Sequence, residues 1–131
     1  IYVGDRRDIE RAFDDLRDVR NHAILAVSDP VVLDLHRAMI AAHAVKNGIP
    51  LVASFSAYAH EGALMSYGVD LREMHRRSAI YVDKILKGAK PGHLPIEQPS
   101  KLELTINLIT ARAIGLELSS AFLTRADEVI E

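Results

Sequence analysis

The chain has 131 residues, enough for one domain with a real hydrophobic core. Hydrophobic residues make up 49% and charged residues 26%, and a net charge of -2 with a sequence pI near 6.3 argues against the concentrated basic surface of a nucleic-acid binder. The absence of cysteine excludes disulfides and thiolate metal sites, and no apolar run approaches the roughly 20 residues that a membrane helix needs.

Ile1-Tyr2-Val3 reads as the tail of a strand, with neither an initiator Met nor a signal peptide, so a preceding segment is expected. Asp5 is an N-cap candidate for a helix running to about Arg20, with Ile9, Ala12, Phe13, Leu16 and Val19 on one face. Ala23–Val27 is short and apolar, as a buried strand is. Ser28-Asp29-Pro30 stops it; Asp29 suits the cap and Pro30 the first position of a second helix. That helix carries Val32, Leu35, Met39, Ala42 and Val45 on one side and ends at Asn47-Gly48.

Leu51–Ser54 is a second buried strand, Ser56–Glu61 one or two helical turns, and Ala63–Tyr67 a third strand closed by Gly68. Asp70 and Glu73 form a capping box for a helix with Leu71, Met74, Ser78, Tyr81, Val82 and Ile85 as its buried stripe. Gly88–Ser100 holds three prolines and reads as an extended connector. Lys101–Asn107 alternates strictly, as a half-exposed strand or a connecting ribbon does, and two short helices, Leu108–Ile114 and Ser120–Asp127, finish the chain. Strands alternating with helices predict an α/β fold, a layered parallel sheet with flanking helices.

Chemical motifs are scarce. There is no dinucleotide fingerprint, phosphate loop or serine-hydrolase elbow. None of the six histidines has HExxH spacing; His36 and His43 lie seven residues apart, about 10 Å along a helix, too far to share one zinc. Asp14, Asp15 and Asp18 form a solvated helix face, not the partly buried carboxylates that acid-base catalysis needs. The sequence therefore predicts no catalytic residue, no metal, no cofactor and no enzyme activity.

In open α/β sheets ligands bind at the carboxyl ends of the strands. Ser28-Asp29 follows the first predicted strand, Phe55-Ser56 the second and Tyr67-Gly68 the third. Ser28, Asp29, Phe55, Ser56 and Tyr67 are thus the candidate ligand-binding residues. Asp29 or Glu61 would face an ammonium group, and Phe55 or Tyr67 would cover an apolar side chain. Each has an ordinary structural use too: Asp29 and Ser56 as helix caps, Phe55 as core, Tyr67 as edge packing.

Gly62-Ala63-Leu64-Met65-Ser66-Tyr67-Gly68 resembles a segment of the ABC transporter substrate-binding proteins. So do the run from Tyr81 to Pro91, Leu94–Pro99, the run from Lys101 to Leu116 and the closing Arg125–Glu131. The resemblance implies a type I periplasmic-binding-protein fold, two α/β lobes joined by hinge strands, of which this chain would be the C-terminal lobe plus hinge-crossing segments, the N-terminal lobe being absent. It implies an extracytoplasmic (periplasmic) protein that captures a small solute, an amino acid and in some relatives an aromatic one, and hands it to the membrane permease of an ABC importer. Ser28-Asp29-Pro30 and Ser54-Phe55-Ser56 match cleft loops, and Ser66-Tyr67-Gly68 matches the return toward the first lobe. The chain departs from the family at Ala59-His60-Glu61 and at Gly62-Ala63, where the family has a glycine pair. The competing reading is the effector-binding domain of a transcriptional regulator with the same fold. An isolated lobe would expose its inter-lobe surface, so self-association is expected.

Overall fold

The computed structural model describes residues 4–16, 22–27, 29, 34–99 and 101–131. Helix α1 (Arg6–Asp15) starts where Asp5 accepts a hydrogen bond from the Asp8 amide at 3.0 Å. Ile9 and Phe13 are buried, as their spacing requires, and the predicted extension beyond Leu16 falls outside the described residues. Phe13 stacks on the His43 ring of α2 (Arg37–Lys46) with centroids 5.2 Å apart.

Two features of α2 differ from expectation. It begins at Arg37 behind a turn at Asp34–His36, so Asp29 does not cap it; the Asp29 carbonyl instead accepts from the Asp34 amide at 3.0 Å. Val32 lies outside the described residues. The buried face is Ile40, Ala41 and Ala44, while Leu35 is 74% exposed. From Ala38 to Val45 the helix is apolar on nearly every side, so helical spacing does not single out one face. Its end is as read: Gly48 adopts φ 66°, the left-handed conformation that glycine takes without steric cost.

Among the described residues the sheet has five strands in the order β1 (Ile24–Ala26), β2 (Leu51–Ala53), β3 (Met65–Val69), β4 (Leu102–Asn107), β5 (Glu128–Ile130). Its pairs are parallel except β3–β4, so β4 and β5 run opposite to β1–β3. Ile24, Ala26, Leu51 and Ala53 pack with α1, α2 and α3 (Ser56–His60) in one apolar cluster. Tyr58, the largest fully buried side chain among the described residues, belongs to it.

Strand β3 starts two residues later than predicted and runs through Gly68 to Val69. A Cβ at Gly68 would lie 1.8 Å from the Ser54 carbonyl oxygen, so the strand tolerates only glycine where it crosses the end of β2. Tyr67 therefore stands within a strand, 57% exposed, and not in a loop after it.

Helix α4 (Leu71–Leu86) has the predicted cap: Asp70 accepts from the Glu73 amide at 3.0 Å. The other half of the box is missing, because the Glu73 carboxylate turns outward to Arg76 at 2.7 and 2.8 Å. The predicted buried stripe is also corrected, since none of α4's residues is buried. The connector bends through a 3-10 turn (Pro91–His93) and lies along α4, where Tyr81 donates to the Pro95 carbonyl at 2.8 Å and Arg77 pairs with Glu97. Met74, Ile85 and the prolines line a groove of about 380 Å³ between the two.

β4 is not half-exposed along its length. It is open at Leu102 but buries Thr105, Ile106 and Asn107 on both faces, since its second half lies between β3 and β5. Helix α5 (Leu108–Ala113) follows, capped by Asn107, and then α6 (Ser120–Leu123). The predicted last helix stops at Leu123, and Glu128–Ile130 forms the edge strand β5. Three residues are too few for alternation to mark a strand.

Candidate functional site

A cavity of about 670 Å³ opens at the carboxyl end of β3, beside the amino ends of β4 and β5. Phe55, Ser56, His60 and Glu61 wall it from α3 and its flanks; Val69, Asp70, Leu71 and Arg72 from the end of β3 and the start of α4. Glu103 of β4 and Asp127 and Glu128 at β5 complete it. Its volume lies within the roughly 300–1,000 Å³ of small-molecule sites, and Phe55, Val69 and Leu71 give it an apolar part beside its charges.

Helix α3 is fixed over the sheet by buried polar contacts. The Asn107 side chain donates to the Ala59 carbonyl at 2.8 Å and accepts from the Thr110 amide at 2.9 Å, and the Thr110 hydroxyl donates to the Gly62 carbonyl at 3.0 Å. His60 Nε2 lies 3.2 Å from the Glu128 carboxylate, joining α3 to β5 across the cavity wall. Below Glu128, in register across β3 and β4, lie Thr105 and Ser66, whose buried hydroxyls have no hydrogen-bond partner among the described residues.

On its other side α3 is tied to the turn before α2. Tyr58 donates to Asp34 Oδ1 at 2.9 Å. Burial, reinforced by the Asp34 carboxylate, pushes the phenol pKa well above the usual tyrosine range, so Tyr58 remains a donor throughout the neutral range. Arg37 donates to the Asp34 carbonyl at 3.0 Å, and its other terminal nitrogen stands 3.6 Å from Glu61. The turn after β1, the first residues of α2 and the cavity rim thus form one connected polar chain.

The sequence model of the family described as ABC transporter substrate binding protein matches residues 1–130. The chain belongs to that family. Among curated relatives, a tyrosine-binding protein of Clostridioides difficile is 28% identical over 76 residues, which is 58% of this chain and 22% of that protein. Among solved structures, a conserved domain protein from Vibrio cholerae is similar with a TM-score of 0.84 at 25% identity, over 95% of this chain and 42% of that one. An ABC domain in complex with L-Trp from Streptococcus pneumoniae superposes with a TM-score of 0.88 at 22% identity, over 99% of this chain and 43% of that one. A ligand-free, open substrate-binding protein with adhesive properties from Clostridium difficile gives 0.67 at 17% identity, over 98% and 42%. The chain spans less than half the length of these solved proteins.

Of the residues singled out in the sequence of this substrate-binding family member, Phe55 and Ser56 line the cavity, and so does Glu61. Asp29 stands on the loop after β1, exposed and outside the cavity lining. Tyr67 lies on the opposite face of β3 from Ser66 and Gly68, away from α3. Ser28 lies outside the described residues. The sequence reading missed Arg72, Glu103 and Asp127. The first sits in the first turn of a helix, outside its predicted buried stripe, the second on a strand read as half-exposed or as a connecting ribbon, the third in a segment read as helix. The antiparallel pairing of β4 with β3 brings Glu103 beside the start of α4, and the parallel pairing of β5 with β4 adds Asp127.

Proposed function

We propose that this chain is the C-terminal lobe, with hinge-crossing strands, of an extracytoplasmic solute-binding protein that serves an ABC importer. It holds a small solute, an amino acid with an apolar or aromatic side chain, between itself and a second lobe, and the closed protein delivers the solute to a membrane permease. It makes and breaks no bond. Supporting this reading is the cavity at the strand ends, whose lining combines both charge signs with Phe55 and Leu71 in a family of substrate-binding proteins. The names of a tyrosine-binding relative and an L-Trp complex point to the same solute class. β3 and β4 are the hinge strands in this reading, because they lead out to and back from α4 and the connector, which pack on each other and bury nothing in the sheet's core. Hinge closure supplies the two states that a permease distinguishes.

Native mass spectrometry of the full-length protein, gentle and then denaturing, tests this. Release of a small molecule of amino-acid mass is expected. No release, together with no thermal shift across an amino-acid panel, overturns the solute class.

A further inference from the structure

The charges around the cavity are unequally committed. Asp70 is used by the Glu73 amide, Asp127 by the Leu104 amide at 2.9 Å, Glu128 by His60, and Glu61 by Arg37. Arg72 and Glu103 line the same cavity and make no side-chain hydrogen bond or ion pair within the described residues. One is a cation and the other an anion.

Their placement is set by backbone geometry. Gly68 and Val69 of β3 pair with Glu103 and Leu102 of β4, and the chain turns from Val69 through Asp70 into the first turn of α4, which carries Arg72. The free guanidinium, from the start of α4, and the free carboxylate, from β4, therefore line one space. Neither is buried, so neither bears a large desolvation cost before a ligand arrives. A ligand that satisfies both carries an anion and a cation a few bonds apart.

We propose that Arg72 and Glu103 read the two charges of a zwitterionic amino-acid head group, Arg72 taking the carboxylate and Glu103 the ammonium. This rests on the solute-binding reading and names the residues that select the head group within it. A guanidinium presents parallel donors that match a carboxylate, and a carboxylate accepts from an ammonium through either oxygen. The apolar wall at Phe55 and Leu71 is left for the side chain.

The test is calorimetric titration of the full-length protein with L-tyrosine, tyramine, which lacks the carboxylate, and 3-(4-hydroxyphenyl)propionate, which lacks the ammonium. Arg72→Gln is expected to weaken L-tyrosine about tenfold or more and to leave tyramine within about twofold; Glu103→Gln is expected to weaken L-tyrosine equally and spare the propionate. Thermal midpoints of both variants confirm that they fold. Equal losses for all three ligands, or none, overturn the charge pair while leaving the solute class intact. Wild-type protein that binds none of the three and shows no thermal shift with any amino acid of the panel overturns both.

Discussion

Helices α3 and α4 reverse the expected relation between length and burial. α3 has five residues and buries Tyr58 and Ala59; α4 has sixteen and buries none. α3 lies on the sheet, held by Tyr58 in the apolar cluster and by the Asn107 amide. α4 has its cap and its contacts with the connector, while Leu71, Met74 and Ile85 each stay about 40% exposed. Helices in proteins are stabilised mainly by packing of an apolar face. The difference shows that in this chain a helix's position against the sheet, and not its periodicity, decides what is buried. It also leaves α4 with apolar side chains that the connector covers only in part.

The sharpest way to break this comparison is to remove the anchor of α3. Tyr58→Ala leaves a large cavity in the core and is expected to cost about 3–5 kcal/mol. Tyr58→Phe keeps the ring and loses only the bond to Asp34, costing about 1 kcal/mol. Urea titration of both variants measures this. A loss below about 1 kcal/mol for the alanine variant would mean that the short helix is not an anchor.

On α4 the same kind of truncation has an effect that depends on context. Met74→Ala is expected to change the stability of this chain by no more than about 0.5 kcal/mol, as at other surface positions. In the full-length protein, where a second lobe is proposed to cover α4, the cost rises to about 2 kcal/mol or more. Equal costs in the two settings remove α4 from the inter-lobe face.

Local signals in the sequence located most elements. The Asp5 and Asp70 caps, the Gly48 stop and the first three strands stand within a few residues of their predicted places, because caps and turns are decided by neighbouring residues. What escaped depends on residues distant in sequence. The exposure of α4 depends on what lies opposite it. β5 exists because β4 offers it a partner, and Gly68 belongs inside β3 because Ser54 crosses there. The candidate site divides in the same way: Phe55 and Ser56 follow a strand and were legible, whereas Glu103 enters the cavity only through strand pairing.

The smallest expected effect separates the helices by pH. The Arg76 side chain, hydrogen-bonded to Glu73, holds that carboxyl below the usual glutamate range. A depressed folded-state pKa stabilises at pH values above the unfolded value, and the stabilisation is lost as pH falls through the folded one. Hydrogen exchange in the first turn of α4 should therefore quicken as pH drops from about 5 to about 3, beyond the intrinsic pH dependence of exchange. Because the pair is exposed and screened, the change is small and shrinks further in high salt. Glu73→Gln removes the slope, since the amide does not titrate. The α3 amides, held by burial and by Asn107, should show no matching slope. If they do, the acid response is global and the two helices do not differ in what holds them.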